Sequence, residues 1–216
     1  MLIKMQTTYS LGDTIEIGID EAGRGCFWGP IVAGAVIWAP EDEWTDEHRE
    51  VAPLIKDSKT IPKKKRTAIA AAIQALAVDW GVGFVTATEI NEKGMTWSNQ
   101  EAFRRAMAAC YSGLEPELLL IDGVLGLPDL PGDTRYQCIP GGDGLYLPIA
   151  AASILAKDGR DTWVEEWSAA SKENEAVAES YDLLSNMGYG TVKHRGGLKL
   201  KGPHTEHRAQ FIRNWL

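Results

Sequence analysis

Asp20-Glu21-Ala22-Gly23-Arg24 puts two adjacent carboxylates where a short apolar run, Ile15 to Ile19, gives way to a turn carrying Gly23, Gly25 and Gly29. Like charges side by side are unfavourable unless a proton or a cation relieves them. Oxygen donors of this kind suit hard divalent ions such as Mg²⁺ or Mn²⁺. Arg24 sits between glycines that let a backbone come close, and it offers planar donors to a phosphate or a sugar. Taken singly, an Asp-Glu pair is also ordinary turn chemistry. Two further acids stand at a strand end and in a glycine turn, where each alone is also an ordinary cap or turn residue. Asp122 ends the apolar run Leu119-Leu120-Ile121 and is followed by Gly123, while Asp143 lies in Gly141-Gly142-Asp143-Gly144. A carboxylate closing an apolar strand lies where α/β sheets place their ligands.

Donors for an anion recur as well. Ser153, Lys157 and Asp161 are spaced by four, one stripe of a helix. Ser153 and Lys157 could hold a phosphate, the plain alternative being a Lys157–Asp161 surface pair worth about 0.3 kcal/mol. Ser58 and Lys59, in Asp57-Ser58-Lys59, offer the same chemistry on a loop. Tyr189, between Gly188 and Gly190, is read first as a packing residue, although an exposed aromatic beside cations is also the kind of surface on which bases stack. His204 and His207 lack the spacing and glutamate of the helical zinc-protease motif. Cys26, Cys110 and Cys138 are too few and scattered for a disulfide framework or a zinc site, and fit a reducing setting.

These residues need elements to position them. Strands are expected over Ile15–Asp20, Ile31–Trp38, Trp80–Ala87, Glu117–Ile121 and Tyr136–Ile139. Helices are expected over Pro62–Ala77, over Ser98–Tyr111 with Ser98 and Glu101 in capping-box spacing, and over Pro148–Ala170. Glu41 to Pro53 reads as an acidic loop. After Ser171 the aliphatic runs vanish and glycines interrupt the chain. That polar portion is expected alongside the core, with one short helix in His204–Trp215. Strands first, then alternating helix and strand, give an α/β mixed sheet.

The 216 residues, 44% hydrophobic, suffice for one good-sized core. Met1 to Thr8 lacks the cationic flank and apolar stretch of a secretory leader. No apolar run approaches the roughly 18 residues of a membrane span. A cytoplasmic protein with no membrane contact is expected. The net charge of −8 argues against indiscriminate nucleic-acid binding, yet it conceals a split. Lys56 to Arg66 carries six cations against Asp57, and Thr191 to Arg213 six against Glu206. Two basic zones on an acidic body can steer a polyanion to one face, although solvated surface charge is the usual explanation of any single run and charge alone decides nothing.

Taken in order, these pieces resemble the type 2 ribonucleases H, specifically bacterial ribonuclease HII. The matching segments are Gly18-Ile19-Asp20-Glu21-Ala22-Gly23-Arg24-Gly25 with Gly29-Pro30, Asp57-Ser58-Lys59, Ile121-Asp122-Gly123 and Gly142-Asp143. They continue with Ala150 to Lys157 and Arg160-Asp161, then Gly188-Tyr189-Gly190-Thr191 with His194, and Gly202-Pro203 with His207-Arg208 and Phe211. The resemblance implies a ribonuclease H-like five-stranded mixed sheet flanked by helices, with residues 1–170 as catalytic core and 171–216 as a helical, substrate-contacting extension of the same compact unit. It implies a monomer that cuts RNA in RNA–DNA hybrids, and single ribonucleotides in duplex DNA, on the 5′ side, leaving 5′-phosphate and 3′-hydroxyl.

Carried over residue by residue, Asp20, Glu21, Asp122 and Asp143 would hold Mn²⁺ or Mg²⁺ as a two-metal site. Gly23, Arg24 and Gly25 would read the ribose 2′-hydroxyl, the one group that separates RNA from DNA, and Tyr189 would stand at the RNA–DNA junction. Ser58, Lys59, Ser153 and Lys157 would meet phosphates. Because neighbours on an ideal strand face opposite ways, Glu21 is expected past the strand end. Three departures from the family pattern stand out: the bulky Cys26-Phe27-Trp28, the acid in Thr205-Glu206, and Gly159 inside a helix. The alternatives are a ribonuclease HIII-like nuclease, disfavoured by Arg24 and by the roughly fourteen residues before the first strand, and a junction-binding module that does not cut.

Overall fold

The computed structural model describes residues 5–10, 14–110 and 115–216. Five strands form one sheet: β1 (Glu16–Ala22), β2 (Ile31–Ile37), β3 (Asp79–Val85), β4 (Leu118–Asp122) and β5 (Arg135–Ile139), in the order β3-β2-β1-β4-β5. β1 is antiparallel to β2 and β2 to β3, whereas β1, β4 and β5 run parallel. The sheet is mixed, as expected, and the parallel half brings the C-terminal ends of β1 and β4 to one rim.

Period-two alternation sorts the strand residues onto two faces. Ile17, Ile19, Ala33, Ala35, Leu119 and Ile121 face one core with Ala102, Phe103 and Ala106. Those three belong to α4 (Met95–Ala109). Val36 and Leu120 belong to the clusters of the opposite face, built on Ala151, Ile154 and Ile149 of α5 (Leu147–Ala169). Glycine lets that helix come close. A Cβ on Gly34 would lie 2.2 Å from the Ala152 carbonyl oxygen, and one on Gly18 would lie 2.2 Å from the Pro148 carbonyl carbon.

The remaining helices include α1 (Asp46–Val51), α2 (Lys63–Leu76) and α3 (Ala87–Lys93). α1 corrects the expected acidic loop: Thr45 caps it in a reciprocal box with His48, whose ring also bonds Leu76 O at 3.0 Å. β3 stops at Val85 because Thr86 and Glu89 form a capping box that starts α3. The box expected at Ser98–Glu101 is not a helix start. α4 begins three residues earlier, after Gly94, and Ser98 is buried with its hydroxyl donating to Gly94 O at 2.8 Å. Its expected end, Tyr111, lies outside the described residues. α5 runs unbroken through Gly159.

The C-terminal portion holds α6 (Lys172–Ser180), α7 (Leu183–Asn186), α8 (Val192–Lys201) and α9 (Ala209–Ile212). It is more than a polar flank. Val164, Ala178, Tyr181, Leu183, Leu198 and Ile212 close around Trp28, which is fully buried. The bulk of Cys26-Phe27-Trp28 is therefore the apolar centre on which this portion packs. Among the described residues no helix is long and apolar enough to cross a membrane.

Candidate active site

Gly18 pairs with Leu120 and Ile19 with Ile121, so Asp20 and Asp122 stand opposite one another at the rim, on the face that packs against α5. Only 6% of Asp20 is exposed. Burial holds its pKa well above the usual carboxylate range, and the charges of Glu21 and Asp122 push the same way. The neighbouring Ser153 hydroxyl, on α5, favours the ionised form and partly offsets the shift. Asp122 accepts the Gly142 amide at 2.7 Å, which ties the end of β4 to the short 3₁₀ turn Gly142–Gly144 carrying Asp143. Burial, then Asp122, raises the Asp143 pKa, and Lys59 opposes them.

Glu21 corrects the expectation that it lies past the strand end. It is within β1, paired with Ala33, on the α4 side, where Asn99 Nδ2 donates to it at 3.4 Å. Arg24 Nη1 is 3.9 Å from its carboxylate. Burial raises the Glu21 pKa, and Asp122 adds to the rise, so its charge is still felt across the strand end. As the side chains stand, no three His, Cys, Asp or Glu groups among the described residues converge as a closed ligand cage. The donor set is nonetheless all oxygen, partly desolvated and mutually repelling, the chemistry that a hard cation relieves.

Around these acids lie the expected substrate contacts. Arg24 and Gly25 are exposed at the turn, and Lys59 is exposed on its loop. Ser58 and Ser153 are buried and bonded to each other at 3.0 Å, one linking the loop and the other Asp20, rather than facing solvent. The Lys157–Asp161 pair is no surface pair. Asp161 is 2% exposed and takes Lys157 at 2.7 Å together with the buried Arg66. Tyr189 is 41% exposed, with the Lys157 ammonium 5.6 Å from its ring centre.

Two buried arginines carried no assigned role in the sequence. Arg160 donates to Pro30 O, Met187 O and Trp28 O, so a Cβ on Gly23 would fall 2.0 Å from its Nε. Arg208 donates to Gly23 O at 2.6 Å, Arg24 O at 3.1 Å and Gly29 O at 2.8 Å. Asn99 was also missed, being an ordinary helix residue until the fold sets it against Glu21.

The ribonuclease HII family model matches residues 17–215. Ribonuclease HII of Geobacillus kaustophilus is 38% identical over 205 residues, covering 94% of this chain and 70% of the relative. Among solved structures, ribonuclease H2 from Pyrococcus horikoshii superposes with a TM-score of 0.69 at 23% identity, covering 93% of this chain and 96% of that one. Bst-RNase HIII in complex with Mn²⁺ superposes at 0.64 and 23%, over 93% of this chain and 68% of that one. At such identities the structures speak for the fold alone. The family match spans nearly the whole chain, with all four carboxylates inside it, and it decides the activity: this chain belongs to the ribonuclease HII family, hydrolases that cut RNA in RNA–DNA hybrids.

Proposed function

We propose that the chain is a divalent-metal-dependent endonuclease that incises duplex DNA at single embedded ribonucleotides as well as RNA in hybrids. Incision falls on the 5′ side of the ribonucleotide and leaves 5′-phosphate and 3′-hydroxyl. The observation that carries this reading is the β1–β4 register, which runs to Ile19 and Ile121 and so sets the next residues, Asp20 and Asp122, side by side on one face, with Asp122 tied through Gly142 to the Asp143 turn, beside the exposed Arg24-Gly25 turn. Asp20, Glu21, Asp122 and Asp143 would hold Mn²⁺ or Mg²⁺, and a Mn²⁺ complex of the fold relative RNase HIII is in keeping with that. Bound there, such ions would neutralise the acids, activate the attacking water and stabilise the leaving 3′ oxygen.

The protein's own groups do the rest. Ser153 lies beside the Asp20 carboxylate and favours its ionised form, and Asn99 holds Glu21 on the other face. The Gly23-Arg24-Gly25 turn approaches the sugar, where the 2′-hydroxyl selects ribose. Tyr189 offers its half-exposed ring to the neighbouring nucleotide. Lys59 and Lys157 supply positive charge to the backbone, whereas Ser58 and Ser153 act from beneath it, as supports of Asp20 and the loop.

The test is incision of a duplex with one ribonucleotide in Mn²⁺ or Mg²⁺, mapped at base resolution. Cutting 5′ of the ribonucleotide is expected. Asp20→Asn should abolish it while the variant still binds the duplex, and near-normal turnover by Asp20→Asn would reject the assignment. Failure to cut the single ribonucleotide while cutting a long RNA stretch would point to the HIII-like preference. Binding without incision in both metals would make the protein a junction reader only.

A further inference from the structure

The ribose-reading turn and the Tyr189 loop are far apart in sequence, and a third segment, residues 204–208, bonds the first directly and reaches the second through His194. Gly29 N–H donates to Glu206 O at 2.9 Å and Arg208 N–H to Phe27 O at 2.8 Å, while Phe27 N–H donates to Gly188 O at 2.9 Å. Two consecutive side chains of the segment complete the link.

Arg208 is fully buried, no carboxylate pairs with it among the described residues, and its Nη2 has no partner. A guanidinium is costly to bury, and an apolar side chain would fill such space at lower cost. Its use lies in the planar fork, which collects the carbonyls of Gly23, Arg24 and Gly29 at one point. In a trans peptide the N–H points away from the C=O of the same unit. Clamping the Gly23 and Arg24 carbonyls inward therefore turns the Arg24 and Gly25 N–H groups outward, where both residues are exposed.

His207 acts on the other element. His194 Nδ1 lies 3.1 Å from Tyr189 O, and a carbonyl only accepts, so Nδ1 carries the proton. His194 Nε2 is then an acceptor and receives the Nε2–H of His207 at 3.0 Å. His207 Nδ1 in turn accepts the His204 amide at 2.9 Å. Every proton in this chain has one place, and the chain ends on the backbone of Tyr189.

We infer that His207 and Arg208 are positioning residues that hold the Gly23–Gly25 turn and Tyr189 as one rigid reader of a ribose and the nucleotide beside it. The inference rests on the function proposed above. It makes a demand that ordinary packing does not: loosening the clamp must hurt a substrate with a single ribonucleotide more than one with several, because a run of RNA offers other registers in which some 2′-hydroxyl meets the turn.

The experiment compares wild type with Arg208→Lys on duplexes holding one ribonucleotide, four consecutive ribonucleotides or none. The expected result is at least a tenfold loss of kcat/KM on the single ribonucleotide and a clearly smaller loss on four. Equal losses on both, or no loss, would overturn the clamp. A wild type that cuts the all-DNA duplex as readily as the ribonucleotide-bearing one would instead overturn the proposed function. Independently of any variant, nitrogen-15 spectra of the wild type at pH 7 should show His194 protonated at Nδ1 and His207 at Nε2. The reverse tautomer at His194, or an imidazolium at either position, would overturn the relay.

Discussion

Asp20 is a carboxylate that the fold keeps out of water and beside two other acids, so without a cation its ionised form is a cost to the folded state. The sign follows from linkage. A pKa raised on folding means the native state holds the proton more tightly, so ionisation at neutral pH lowers stability. Asp20→Asn removes that charge while its amide oxygen can still accept from the Glu21 amide, which donates to Asp20 at 2.7 Å. The variant should therefore melt higher than wild type in EDTA, by about 2–4 °C for each kcal/mol recovered. An unchanged or lower Tm would show that the burial of Asp20 carries no strain. A residue that both raises stability and abolishes turnover when neutralised belongs to function rather than to packing.

Among the elements, α5 decides where the proposed site sits. Its first turns lie on glycines of β1 and β2, and the same helix carries Ser153 to Asp20, Lys157 to Tyr189 and Arg160 to the loop backbones. Gly34→Ala would set a methyl 2.2 Å from the Ala152 carbonyl oxygen, a backbone atom that cannot swing aside. The helix must shift instead. A loss of about 1–3 kcal/mol in urea unfolding is expected, together with reduced incision, since Ser153 is the next residue along. Wild-type stability would mean that the helix docks more loosely than this geometry requires.

For the molecule as a whole, acid sensitivity should come from the C-terminal portion. Burial lowers the pKa of His194 to about 4, and burial followed by the charge of His194 lowers that of His207 to about 3. The unfolded chain takes up these protons near pH 6.5, so stability falls as pH drops from about 6.5 toward 4, by up to roughly 1.4 kcal/mol per pH unit for each imidazole. Chemical denaturation at pH 7 and pH 5 should register the fall. His207→Gln, which can still donate to His194 but does not titrate, should flatten the slope. An equal slope in that variant would place the acid sensitivity elsewhere.

Much of this was legible in the chain. Apolar alternation and glycine punctuation marked all five strands, and the ordered motifs marked the acids and the Gly-Arg-Gly turn, because both signals are local and survive without knowledge of the fold. Other features depended on partners distant in sequence. Thr86 and Glu89 spelled a helix start that the stronger-looking Ser98 and Glu101 obscured, and only the packing of Ser98 into the core separated the two. Nothing local distinguished the Lys157–Asp161 pair from a surface pair until Arg66 arrived from α2. The types and order of the reactive groups were thus set by the sequence alone. Which face Glu21 takes, what buries Trp28, and how Arg208 reaches a turn 185 residues away were decided by tertiary structure, since burial and hydrogen-bond satisfaction are properties of a neighbourhood and not of a residue.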